Sequence, residues 1–231
     1  MEDLLRRGLE IIREDGGAEA LEDPEGIAAL LERYMAEIEL FNPAWGLVGA
    51  RDRRELVVKH ILDSLAPLGI LRRLFPRRGG AEPYRAADAG SGAGLPGIPL
   101  ALCLPDLRFT LIERMSRRAG FLRNTLAVLG SGNAEGPGNA EVWETDLARA
   151  EPGFDLVVFR ALGTLDPALF RALLRLLKPG GCLAAYKGRR EKAQAELAAL
   201  GPLPERCSTE TLPYAVPFLT GERCLLLVKK A

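Results

Sequence analysis

Along roughly the first 75 residues the apolar side chains recur at helical spacing. Leu4, Leu5, Leu9 and Ile12 mark one helix, which Asp15-Gly16-Gly17 ends. Pro24 opens a second, with Ile27, Leu30, Leu31, Tyr34, Met35 and Ile38 on one face, and Asn42-Pro43 is expected to break it. Arg51-Asp52-Arg53-Arg54 leads into a third, carrying Leu56, Val57, His60, Ile61, Ser64 and Leu65. From Tyr84 the pattern changes to short apolar runs alternating with helical stretches. Strands are predicted into Asp88, over Arg108–Ile112, Glu141–Trp143, Phe154–Phe159 and Cys182–Tyr186. Between them come helices from Gly97 to near Pro105, from Ser116 to Leu129, from Asp166-Pro167 to Leu177, and from Glu191 to Leu200. Two last strands, about 207–214 and 223–229, follow each other with only a turn at Thr220-Gly221 between them.

Alternating strand and helix means a parallel sheet with helices on both faces. The closing pair, joined without a helix, predicts an antiparallel C-terminal edge. The expected architecture is a Rossmann-like α/β domain over 81–231, with a helical region over 1–80 packed against it. Arg77-Arg78-Gly79-Gly80 reads as a basic flexible link, and Ser131 to Asn139, rich in Gly, Asn and Pro, as a loop.

Composition narrows the choices. At 231 residues and 48% apolar the chain can bury a real core. Lysine plus arginine equals aspartate plus glutamate, 31 each, so any surface for nucleic acid must be a local patch. Cys103, Cys182, Cys207 and Cys224 form no C-x-x-C pair and sit in apolar surroundings, as buried reduced thiols do. A single histidine, His60, excludes a His-rich metal site, and no metal is expected. No apolar run approaches the roughly 20 residues of a membrane helix, and the first residues do not read as a signal peptide. A soluble cytoplasmic protein, monomeric and without a membrane partner, is expected.

The stretch Asp88-Ala-Gly90-Ser91-Gly92-Ala-Gly94-Leu95-Pro-Gly97 carries the chemistry. It reads as a strand end, a tight turn and a helix start, where glycine permits positive φ and close approach. Such a turn at a helix N-terminus can cradle a polar or anionic group. The pattern also fits the dinucleotide fingerprint G-x-G-x-x-G, and a turn without a ligand is open too. Asp88 tilts the reading, because a carboxylate before the turn suits a cationic group such as the amino group or sulfonium of S-adenosylmethionine (SAM). Polar residues then close successive strands at one sheet edge: Glu113, placed for ribose hydroxyls, Thr145-Asp146 for an adenine amino group, Arg160 where the transferred group would lie, and Lys187-Gly188. His60 and Asp63 share a helix face and read as a polar pair at the junction of the two regions.

The glycine stretch extended to Ile98-Pro99, together with Lys59-His-Ile-Leu-Asp-Ser-Leu65, resembles the RsmG (GidB) family of bacterial SAM-dependent methyltransferases of 16S ribosomal RNA. Phe159-Arg-Ala161, Leu177-Lys-Pro-Gly-Gly181, Tyr186-Lys-Gly188 and Gly221-Glu-Arg223 extend the likeness over nearly the whole chain, in order. The resemblance implies SAM as cofactor, and methylation of N7 of one guanine, position 527, in the 530 loop of the small ribosomal subunit or its precursor. It places SAM contacts at Gly90, Leu95, Thr145, Asp146 and Arg160, with Glu113 in the place of the ribose acid. Gly46-Leu47-Val48 departs from the family's Asn-Leu-Thr, Glu113 from a frequent Asp, and the 131–139 loop is longer than usual.

N7 of guanine has a free lone pair, so attack on the sulfonium methyl needs no general base. This fits a sequence without a Ser–His–Asp or Cys–His set. Arg160 is the candidate catalytic residue, holding the methyl donor and orienting the guanine. A polyanionic substrate calls for a basic rim, and Arg51, Arg53, Arg54, Arg117, Arg118, Arg123, Lys187, Arg189 and Arg190 are the candidates. The competing readings are a methyltransferase of a small molecule, a module that binds SAM or RNA without turnover, and an NAD dehydrogenase.

Overall fold

The computed structural model describes residues 2–17, 19–78, 82–130, 137–203 and 207–231. Gly79 and Gly80 of the expected link and 131–136 of the expected loop lie outside these residues.

Seven strands form one sheet: β1 (Tyr84–Ala89), β2 (Leu107–Glu113), β3 (Ala140–Glu144), β4 (Phe154–Arg160), β5 (Leu177–Lys187), β6 (Cys207–Tyr214) and β7 (Arg223–Lys230). Their order is β3-β2-β1-β4-β5-β7-β6. β3, β2, β1, β4 and β5 pair in parallel, while β7 runs antiparallel to both β5 and β6. This is the expected mostly parallel sheet with an antiparallel edge. The strand order reverses at β1 and β4, and ligands of such sheets bind beyond the carboxyl ends of the strands at that point.

Period-two alternation sorts the strand side chains onto two faces. Leu156 and Val158 belong to a core shared with the N-terminal helices, and Val157 and Phe159 to a second core on the other face. Small residues in β1 (Ala86, Ala87, Ala89) leave room for packing from both sides. α6 (Gly97–Cys103) and α7 (Ser116–Leu129) cover the first face. α8 (Pro167–Leu176) covers the second, joined by Leu197 of α9 (Arg190–Ala199). Asp166 caps α8, its carboxylate accepting from the Ala168 and Leu169 N–H groups.

The N-terminal region begins with α1 (Glu2–Ile12) and a π-turn over Arg13–Gly17. α2 (Pro24–Trp45) is capped by Asp23 and buries the apolar face expected of it. α3 (Arg53–Leu56), a π-helical stretch Val57–Leu62 and α4 (Asp63–Leu65) run on without a break, followed by α5 (Leu68–Leu74). The expected break at Asn42-Pro43 is not there, because α2 continues through Pro43 to Trp45. The proline sits in the final turn, where it forfeits one bond of a helix that is about to end. Gly46, left-handed at φ 58°, then closes the helix on the Asn42 carbonyl. The Asn42 side chain accepts from Val48 N and donates to Val48 O, so Gly46-Leu47-Val48 is held through its backbone. β5 is longer than expected and takes in Lys178-Pro-Gly-Gly181, with a register irregularity opposite Phe154 and Leu156. All four cysteines are free, and Cys207 is half-buried where full burial was expected. Among the described residues no helix is long and apolar enough to cross a membrane.

Polar contacts tie the helices to the sheet. Tyr34 is fully buried and its hydroxyl donates to the Ala93 carbonyl at 2.7 Å. Arg72, 3% exposed, forms a two-point pair with Asp106 at 2.8 Å for both bonds. Replacing Asp106 by alanine strands a buried guanidinium. The expected result is a loss of about 3 kcal/mol in urea unfolding, and a loss below about 0.5 kcal/mol would mean that Arg72 finds water instead.

Candidate active site at the strand ends

The backbone from Ala89 to Gly97 follows a path that needs glycine. Gly90, Gly92 and Gly94 have φ of 68°, 57° and 92°. A Cβ on Gly90 would lie 2.2 Å from Leu162 Cδ1, and one on Gly94 would lie 2.5 Å from Ile98 Cδ1. The turn is tied to the end of β2: Gly90 N and Ser91 N both donate to Ile112 O, and Gly92 N donates to Glu113 Oε2 at 2.9 Å. The second Glu113 oxygen accepts from Met115 N.

Asp88 is wholly buried, and its Oδ2 accepts from Gly97 N at 3.0 Å. The start of α6 is therefore already met by a carboxylate and is not left open for a phosphate. The other oxygen, Oδ1, is buried without a partner. Burial pushes the Asp88 carboxyl up to about 7, against the opposing Gly97 N–H and Ser91.

Beyond this turn lies a cavity of about 380 Å³. It gathers Gly90, Glu113, Thr145 and Asp146 from the ends of β1, β2 and β3, with apolar walls from Leu147, Leu162 and Leu169. Those four expected residues come together as read from the sequence. Ser91 and Leu95 are buried, and Gly92 and Gly94 shape the turn without lining the cavity. Leu162 and Arg114 also line the cavity, and neither is marked in the sequence by closing an apolar strand.

Arg160 lies on a second, adjacent cavity of about 330 Å³, lined also by Asp63, Tyr186, Lys187, Tyr214 and Arg223. Its guanidinium turns to the helical region. Nη1 donates to Lys59 O (3.0 Å) and Asp63 Oδ2 (3.0 Å), and Nη2 meets His60 Nδ1 at 3.2 Å. A guanidinium has only donors, so His60 accepts through Nδ1 and carries its proton on Nε2. Burial, then the Arg160 charge, push His60 down to about 4, so it is neutral and takes no part as an acid. The expected His60–Asp63 junction pair is in fact a larger cluster. Asp63, 5% exposed, also accepts from Arg223 Nε through Oδ1 at 2.9 Å.

The basic candidates divide. Arg117, Arg189 and Arg190 are exposed, and Arg118 is half-exposed. Arg123 pairs with Glu144, Arg51 with Glu55, and Arg53 with Glu32 and Glu39. Lys187 departs most from the expectation of a rim residue: its side chain is 11% exposed and paired with Glu196. Its ammonium lies over the Phe159 ring, 5.4 Å from the centroid, as well as on Glu196, and so is turned away from solvent.

Comparison with known proteins gives one family. The family model described as rRNA small subunit methyltransferase G (GidB) matches residues 27–221. The ribosomal RNA small subunit methyltransferase G of Treponema denticola is 36% identical, covering 88% of this chain and 87% of its own. That of Xanthomonas axonopodis pv. citri is 39% identical, with 93% and 92% covered. Among solved structures, the Synechocystis magnesium protoporphyrin IX methyltransferase with bound SAM aligns at a TM-score of 0.56 and 15% identity, over 86% of this chain and 97% of its own. A predicted O-methyltransferase of Agrobacterium tumefaciens aligns at 0.52 and 24% identity, over 74% and 79%. At these identities the solved structures speak for the fold.

The Asp88 carboxyl has a consequence for stability. Its folded pKa of about 7 lies above the ordinary 3.8, so the folded state holds a proton that the unfolded state releases. Its stabilising contribution is complete below about pH 4 and is lost as pH rises through 7. Relative to Asp88→Asn, the wild-type protein should lose stability across that window in urea titrations; a pH-independent difference would show that Asp88 stays ionised when folded.

Proposed function

The chain belongs to the rRNA small subunit methyltransferase G family, and we propose that it transfers a methyl group from SAM to N7 of a guanine in the 530 loop of 16S ribosomal RNA, position 527. The observation that carries the reading is the convergence of Gly90, Glu113, Thr145 and Asp146 on one cavity beside the glycine turn, in a chain of that family.

The residues present suit SAM. Asp88 keeps one buried oxygen without a partner, which answers to a cationic amino group. Gly90 brings its backbone to the cavity wall, where a Cβ would collide with Leu162. Glu113 reaches the cavity with a carboxylate already fixed by two backbone N–H groups, and so is oriented for hydroxyls. Thr145 and Asp146 line the same cavity, whose leucine walls suit an adenine ring.

Bound SAM supplies an electrophilic methyl on a sulfonium sulfur. Transfer to the guanine N7 lone pair would make one N–C bond and break one S–C bond, the electron pair of the latter going to sulfur. No proton moves, so the chain's part is to align the two reactants and exclude water. The one acceptor nitrogen of His60 is taken up by Arg160, which agrees with chemistry that needs no base. Arg160 acts here as a positioning residue at the end of β4, and the exposed Arg117, Arg189 and Arg190, with the half-exposed Arg118, supply local positive charge for the RNA backbone.

Small ribosomal subunits lacking the modification, incubated with methyl-labelled SAM, should yield N7-methylguanosine in the 530 loop. Label in another nucleoside, or none, overturns the reading. Glu113→Ala should weaken SAM binding at least tenfold in calorimetry, since hydrogen bonds to charged groups are worth about 1.5–3 kcal/mol; unchanged affinity would remove Glu113 from the site.

A further inference from the structure

We propose that the second cavity, between Asp63, Arg160, Tyr214 and Arg223, is where the acceptor nucleotide of the RNA is seated. We assign Asp63 as the residue that positions both arginines for it. This rests on the RNA methyltransferase reading above.

The placement comes first. The segment after β4 serves as a partition. Leu162 faces the cavity that holds Glu113 and Asp146, while Ala161 and Gly163 line the other. Ala161 at φ 53° and Gly163 at φ 98° fold the chain tightly enough to do this. The two cavities thus stand side by side at the same sheet edge, as donor and acceptor sites of a direct transfer must.

The chemistry of the walls comes second. Two guanidiniums meet across one carboxylate: Asp63 Oδ2 on Arg160 at 3.0 Å and Oδ1 on Arg223 at 2.9 Å. Asp63 is 5% exposed and both its oxygens are used, so it has little left for a ligand. Its work is on the arginines. Without it two like charges would repel each other and a neighbouring sulfonium. With it the trio carries one net positive charge and fixed N–H donors.

Arg223 commits Nε to Asp63 and donates from Nη1 to Glu222 O, while its side chain stays 27% exposed. A cationic, donor-rich wall selects oxygen acceptors, and a guanine nucleotide offers its O6 and its phosphate. Contact through these leaves N7 free, whereas the common two-point Arg–guanine pairing would cover it.

An unsatisfied group points the same way. The Tyr214 hydroxyl, on this wall, is buried without a partner, while its neighbour Tyr186 donates to Ser64 O. A buried hydroxyl left unpaired is costly, and a bound ligand can relieve it.

The test uses the full-length protein, methyl-labelled SAM and small subunits lacking the modification. Arg223→Gln should lower kcat/KM for subunits about tenfold or more, the worth of a charged hydrogen bond, with SAM affinity by calorimetry unchanged within about twofold. Tyr214→Phe breaks no contact within the protein and should lower the same ratio severalfold. Asp63→Asn should lower it as Arg223→Gln does, and Asp63→Glu should restore part of it. If Asp63→Asn does not fold, Arg223→Gln and Tyr214→Phe decide. A cluster that merely joins helices to sheet predicts lower melting temperatures in the Asp63 and Arg223 variants, with kcat/KM for subunits unchanged; that result overturns the assignment. So does equal loss of SAM affinity and subunit turnover. Wild-type protein that binds SAM but methylates no subunits overturns the functional reading itself, and the cleft's role with it.

Discussion

The Asp88 carboxylate sits beneath the first turn of α6 and accepts the Gly97 N–H, and the course of the glycine turn follows from that bond. The α6 end of the turn is fixed by Asp88 and its middle by Glu113 on Gly92, and from Gly90 to Gly94 the backbone passes through three left-handed residues. Only glycine does this without strain. The turn then leaves space beside Gly90, and the ends of β2 and β3 arrive around it because their register with β1 is set by the sheet. A carboxylate buried with one oxygen unpaired costs free energy in the absence of a ligand. Such strain is typical of positions kept for binding.

The helical region takes part in the site. Tyr34 of α2 reaches the carbonyl of Ala93 in the glycine turn, and Asp63 of α4 holds Arg160 from β4 and Arg223 from β7. One apolar core runs from Leu9 of α1 through Met35 to Leu156 and Leu225 of the sheet. The N-terminal helices therefore contact the glycine turn through α2 and the arginine pair through α4.

Much of this was legible along the chain. Strand and helix types followed from periodicity, because a face that must be buried repeats every second or every third to fourth residue. Glu113, Thr145 and Asp146 were legible only as a set, because one polar strand end is usually just solvated while several at the same sheet edge point to a pocket. Pro43 misled because its effect depends on how far the helix has still to run, which its own neighbours do not state. Lys187 misled because a strand-end lysine can as well lie down on Phe159 and meet Glu196 as face solvent.

By itself the sequence determined the order of elements, the antiparallel edge, the glycine turn and the acids at the strand ends. Each of these is written in residues close together, and local backbone sterics and periodicity act over that range. The tertiary structure alone decided that Asp63 would bind an arginine 97 positions away and another 160 positions away. It also decided that Leu162 would divide two cavities and that one Asp88 oxygen would be left without a partner. Charge pairing has no period and no preferred separation along the chain. Only the packing of helices onto the sheet brings such groups within the few ångströms over which hydrogen bonds and ion pairs form.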